Sequence, residues 1–124
     1  MIGSTRQVAV WAYTAPCDMR KQYDSLTAVV AGAMRRDVLA GDLYVFVGKD
    51  RKRAKVLYWD GTGLCVFAKR LEKGRFAAPW KHATDGSLRM TMSELTLLLE
   101  GSEFVGKLAL SPTPFVFGQP AGPA

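Results

Sequence analysis

Lys55-Val56-Leu57-Tyr58-Trp59-Asp60-Gly61-Thr62-Gly63-Leu64-Cys65-Val66-Phe67-Ala68-Lys69-Arg70 is the stretch on which the fold turns. Two apolar, aromatic-rich runs flank an Asp-Gly pair, the strongest short-range hairpin signal in a sequence. Asp60 and Gly61 suit a type I′ tip, in which both central residues take positive φ. Widened to residues 49–75, the stretch holds nine Lys or Arg and three acids, Asp50, Asp60 and Glu72, an excess of six positive charges. The whole chain of 124 residues also carries +6, so the rest of it is electrically neutral. The basic residues crowd the outer ends of the hairpin. In an up-and-down pair the start of one strand lies beside the end of the next. Arg51, Lys52, Arg53 and Lys55 therefore meet Lys69, Arg70, Lys73 and Arg75 in one patch, away from the Asp60-Gly61 tip. Like charges held that close repel unless an anion compensates them.

Working outward, residues 43–47 (Leu-Tyr-Val-Phe-Val) form a continuous apolar, β-rich run and predict a buried central strand. With residues 55–59 and 64–70 it makes a three-stranded antiparallel meander. Residues 75–78 predict a short further strand before Pro79. Upstream, residues 7–13 alternate as a strand, and Pro16 closes it. Asp18 has the chemistry of a helix N-cap. Met19, Tyr23, Leu26, Val30 and Ala33 then recur at steps of four and three, a helical apolar stripe ending near Arg36. On that reading Arg20 and Lys21 occupy the first helical turn, where the macrodipole disfavours cations. Downstream, residues 88–90 suggest a short strand, and Thr91-Met92-Ser93-Glu94 spells a capping box for a helix reaching Glu100, with Gly101 as its left-handed stop.

The order of elements predicts an α+β fold: a mostly antiparallel sheet built on the meander, with two helices. The first helix covers one face of the sheet and leaves the other partly open for binding. One domain is expected over residues 5–104. Residues 105–124, with Pro112, Pro114, Pro120 and Pro123, read as a flexible tail in which Phe115-Val116-Phe117 is a sticky patch.

Several function classes fit poorly. No apolar run reaches the roughly 18 residues of a membrane helix, and the start of the chain lacks the features of a signal peptide. A cytoplasmic protein without membrane contact is the expectation. Cys17, Cys65 and His82 cannot make up the usual paired ligand spacings of a zinc site, so neither metal nor cofactor is expected. Both thiols are expected to be reduced, with Cys65 a small core residue. The acids carry turn and capping duties, and no pair stands out as a catalytic or metal-binding carboxylate set. A nuclease is accordingly a distant third reading. A pI near 9.6 with clustered charge suits a polyanion. Tyr58, Trp59, Phe76 and Trp80 offer stacking surfaces for single strands, although aromatics in a small sheet are more often core.

The segments Cys17-Asp18-Met19-Arg20-Lys21, Gly41-Asp42-Leu43-Tyr44-Val45-Phe46, the hairpin run from Lys55 through Phe76, and Leu98-Leu99-Glu100-Gly101 occur in this order. With them the chain resembles the TnpB accessory proteins of the IS-sixty-six group of bacterial insertion sequences, which are distinct from the RNA-guided nuclease of the same name. The likeness covers residues 5–104. It implies a non-catalytic partner of a separate transposase that carries the DDE-type site. The motif residues are Asp18, Arg20, Lys21, Trp59, Asp60, Gly61, Gly63, Lys69, Arg70 and Arg75. The combined expectation is an accessory factor for transposition that binds DNA through Arg51, Lys52, Arg53, Lys55, Lys69, Arg70, Lys73 and Arg75, with Arg20 and Lys21 second. The rival is an adaptor that grips an acidic surface of the transposase with the same basic patch.

Overall fold

The computed structural model describes residues 7–101. The chain runs β1 (Val10–Tyr13), α1 (Tyr23–Gly32), β2 (Leu43–Val47), β3 (Arg53–Trp59), β4 (Leu64–Arg70), β5 (Ser87–Met90) and α2 (Met92–Leu99). Single 3-10 turns lie at Val38–Ala40 and Pro79–Lys81. The five strands form one sheet in the order β4-β3-β2-β1-β5. The predicted meander is present as β2-β3-β4, and the α+β class holds. The β1–β2 pair is parallel, with Val10 opposite Leu43, and α1 is the crossover between them. β5 adds antiparallel to the far side of β1.

β2 is the middle strand, and its alternation divides the core in two. Tyr44 and Phe46 face Leu26, Val30 and Met34 of the α1 layer. Val45 and Val47 face Leu95 and Leu98 of α2, together with Phe76. A run apolar on both sides is what a strand between two layers requires. The expectation of a partly open face is therefore corrected: both faces of the sheet centre are covered. Phe76 belongs to no strand. It is wholly buried, which removes it as a stacking platform. Its N–H donates to the Arg51 carbonyl at 2.6 Å.

The start of α1 is a second correction. The helix begins at Tyr23, with Gln22 as N-cap, and Asp18 does not cap it. The Asp18 carboxylate instead accepts the Arg20 backbone N–H at 2.9 Å and the Arg20 guanidinium at 2.8 Å. Cys17 meanwhile bridges to Gly48 beside the end of β2, with its N–H on the Val47 carbonyl at 2.9 Å. The Lys21 N–H then donates to the Asp18 carbonyl at 3.1 Å, closing a single turn ahead of the helix. Met19 turns into the α1 layer from outside the helix. Arg20 and Lys21 are thus loop residues, and the macrodipole argument does not apply to them.

At the other helix the capping box is present. The Glu94 N–H donates to Thr91 Oγ1 at 3.0 Å, and the Thr91 N–H donates to Glu94 Oε1 at 2.8 Å. Gly101 takes φ +74°, as its place after the helix requires. The tail patch at residues 115–117 lies outside the described residues.

Candidate nucleic-acid interface

β3 and β4 pair along their whole lengths, from Arg53 opposite Arg70 to Trp59 opposite Leu64. The loop between them therefore has four residues and is not a two-residue I′ tip. Of these four, only Gly61 has positive φ, at 105°. The Asp60 carboxylate organises the loop by accepting the Thr62 and Gly63 N–H groups, each at 2.9 Å. Those bonds favour the anion, so the Asp60 pKa is lowered to about 2. Cys65 lies half-buried beside this loop, its thiol donating to Asp60 Oδ2 at 3.5 Å. Burial first, and then the Asp60 carboxylate, push that thiol's pKa up. The buried thiol is Cys17, raised to about 11 by desolvation. The expectation for Cys65 thus fits Cys17 better.

The basic residues lie at the opposite end of the pair. A shallow depression of about 250 Å³ is lined there by Met19, Arg53, Ala54, Lys55, Ala68, Lys69 and Arg70. Strand alternation places Arg53, Lys55 and Arg70 on the face that carries α1. Lys55 is buried at 8% exposure, and its Nζ donates to the Lys21 carbonyl at 2.7 Å. This bond ties the loop before α1 to β3 and makes Lys21 part of the rim. Arg53 and Arg70 are exposed. Among the described residues each has one acidic neighbour, at 3.8 Å in Asp50 and 3.7 Å in Glu72. Pairs so long and so exposed contribute little.

The other predicted contacts divide. Lys69 lines the depression, but its Nζ donates to the Leu99 carbonyl at 2.8 Å, at the C-terminal end of α2. The Arg51 backbone takes φ +61° in the turn before β3, and its Nε donates to the Phe76 carbonyl at 2.8 Å. It therefore does not alternate with Arg53 and Lys55 along a ribbon. Lys52, Lys73 and Arg75 are exposed on the flanking turns. Arg20 is exposed and engaged with Asp18, whose carboxyl it holds well below the usual range, chiefly through the side-chain hydrogen bond.

Sequence reasoning missed two features. Met19 forms an apolar wall of the depression, in the loop that the Cys17–Gly48 bridge and the Lys55–Lys21 bond hold against the sheet. Two guanidinium groups lie against the Trp11 ring, with Arg36 Cζ at 3.2 Å and Arg89 Cζ at 5.3 Å from its centroid. Its Nε1 donates to the buried Asp42 carboxylate at 3.2 Å. No spacing in the chain signals that cluster, because β5 returns to β1 across most of the sequence.

Among the described residues, no three His, Cys, Asp or Glu side chains come together as a metal site. None of the described helices is long and apolar enough to cross a membrane.

Two proteins of Sinorhizobium fredii, uncharacterized proteins y4jC and y4hO, are each 36% identical to the chain over 104 residues. The aligned part is 84% of this chain and 87% and 89% of the two relatives. No solved structure matches. The family model described as IS66 Orf2 like protein matches residues 8–107, and the chain belongs to that family.

Proposed function

We propose that the chain is a non-catalytic accessory factor of IS66 transposition that holds DNA by its phosphate backbone, with Arg53 and Arg70 as the primary contacts. One observation carries this reading. Two arginines stand opposite each other on neighbouring strands, with the buried Lys55 between them and α1. Such an arrangement costs the free protein electrostatic energy, and a bound polyanion offsets that cost. Lys52, Lys73 and Arg75, exposed on the adjoining turns, add to the positive charge at this end of the hairpin. Phosphate contacts of this kind give affinity and salt dependence without base readout.

Anisotropy of a labelled duplex tests the proposal. Log affinity is expected to fall linearly with log salt, with a slope of roughly −3 for three or four phosphates. The Arg53→Ala, Arg70→Ala double variant should lower the slope by about two. Lys81→Ala, an exposed charge outside the depression, serves as the control. Absence of binding at low salt would sink the DNA reading. In that case the same surface is to be tested against the transposase, where an acidic partner face would satisfy the same charges.

A further inference from the structure

A second group of cations lies outside the depression. Trp11 and Arg89 stand directly opposite each other in the β1–β5 register, so their side chains share the sheet face that carries α1. Arg36 reaches the same ring from the end of α1. Arg35 takes φ +56°, and the Arg36 N–H returns to the Val30 carbonyl at 2.9 Å, which closes the helix end and brings Arg36 back towards the sheet. The ring itself is anchored. Its Nε1 donates to Asp42 Oδ2, and Oδ1 of that buried carboxylate accepts the Ala9 N–H at 3.1 Å.

We propose that Arg36 and Arg89, gathered on Trp11, form a second site for a nucleic-acid phosphate, at the far corner of the sheet face from Arg53 and Arg70. The inference rests on the DNA binding proposed above. Two guanidinium groups drawn to one indole repel each other, and the attraction of a ring for partly exposed cations is small. The ion pairs among the described residues involve Arg20, Arg53 and Arg70, and neither Arg36 nor Arg89. Outside the described residues the sequence holds one acidic side chain, Glu103. Arg36 Nε is buried and, among the described residues, donates to no acceptor, so the ring sets this guanidinium. Arg89 is exposed and Arg36 half-buried. An oxyanion shared by the two would offset both charges, and the planar guanidinium fork suits the paired oxygens of a phosphate.

The two sites are well separated. β5 and β4 are the outer strands of the five, and Trp11 and Arg89 are level with Val66, four residues short of Arg70. At about 4.8 Å per strand and about 3.3 Å per residue, the sites lie about 23 Å apart. Contacts at that distance contribute additively.

Nitrogen-15 NMR of the full chain, titrated with a short DNA duplex at low salt, tests the assignment. The Trp11 Nε1–H signal and the Arg36 and Arg89 Nε–H signals should shift as duplex is added, in the native chain and in the Arg53→Ala, Arg70→Ala double variant alike. Arg89→Gln should lower the salt slope of duplex binding by about one, in addition to the loss from the double variant. Arg89→Lys, which keeps the charge, should keep the slope. An unchanged slope in Arg89→Gln would overturn the site. So would Trp11, Arg36 and Arg89 signals that stay in place while the Arg53 and Arg70 amides move, a result that leaves the DNA reading intact. Movement at Trp11, Arg36 and Arg89 only would support this site and remove Arg53 and Arg70 as contacts. No movement anywhere would overturn both.

Discussion

Arg53 and Arg70 stand directly opposite each other in the β3–β4 register, two guanidinium groups on one face at the outer side of the sheet. This pair is a candidate conflict between stability and function. Arg70→Glu converts repulsion to attraction and should stabilise the fold by about 0.2–1 kcal/mol at low salt. The gain should shrink at high ionic strength as screening removes it. The same variant should lose DNA affinity by more than tenfold. Urea denaturation at two salt concentrations, set beside duplex titration, reads both effects. A variant that is both less stable and still able to bind would remove the pair from the interface.

Lys69 should behave differently, although it is adjacent in sequence. Its ammonium is committed to the Leu99 carbonyl at the negative end of α2. Lys69→Met should cost roughly 0.5–1 kcal/mol, speed exchange in the last turn of α2, and change the salt slope of DNA binding little. A drop in slope as large as that for Arg70→Ala would show that the ammonium leaves α2 for phosphate.

Thr91→Ala removes one half of a reciprocal cap and leaves the Glu94 N–H without its partner. The expected loss is about 1 kcal/mol of unfolding free energy. α2 covers the sheet face opposite α1, so the loss should appear in global denaturation and not merely as local fraying. Thr91→Ser should restore most of it.

The hairpin loop should respond to acid in a defined window. Asp60 is held at about 2 against an ordinary 3.8. A lowered acid stabilises only where it is ionised in the folded state. Its contribution is complete above roughly pH 4 and fades as pH falls towards 2. The Thr62 and Gly63 amide shifts should titrate with a midpoint near 2, and Asp60→Asn should abolish that titration.

Much of the sheet was legible because its signals are local. The bounds of β2 and β4 follow from apolar runs closed by turn residues, and the α2 cap from a four-residue motif. What escaped depends on contacts between distant segments. Asp18 has the chemistry of a cap, yet it caps only a single turn, in which the Lys21 N–H donates to its carbonyl and Arg20 takes its carboxylate, and the helix starts afresh at Tyr23. Phe76 looked available because no periodicity marks residues 75–78 as core. In the candidate site, the meeting of Arg53, Lys55 and Arg70 follows from hairpin geometry alone. The diversion of Arg51 to Phe76 and of Lys69 to Leu99 does not, since both acceptors are backbone carbonyls at least 25 residues away.

The position of β1 between β2 and β5 also dictates an order of assembly. β2, β3 and β4 are consecutive, so their meander can close as soon as they leave the ribosome. β1 is made first, yet Val10 finds its partner Met90 only when nearly all of the described chain has been synthesised. Closing a loop that long is entropically slow beside hairpin formation. The N-terminal strand must therefore wait with one flank unpaired until β5, the last of the described strands to be made, covers it.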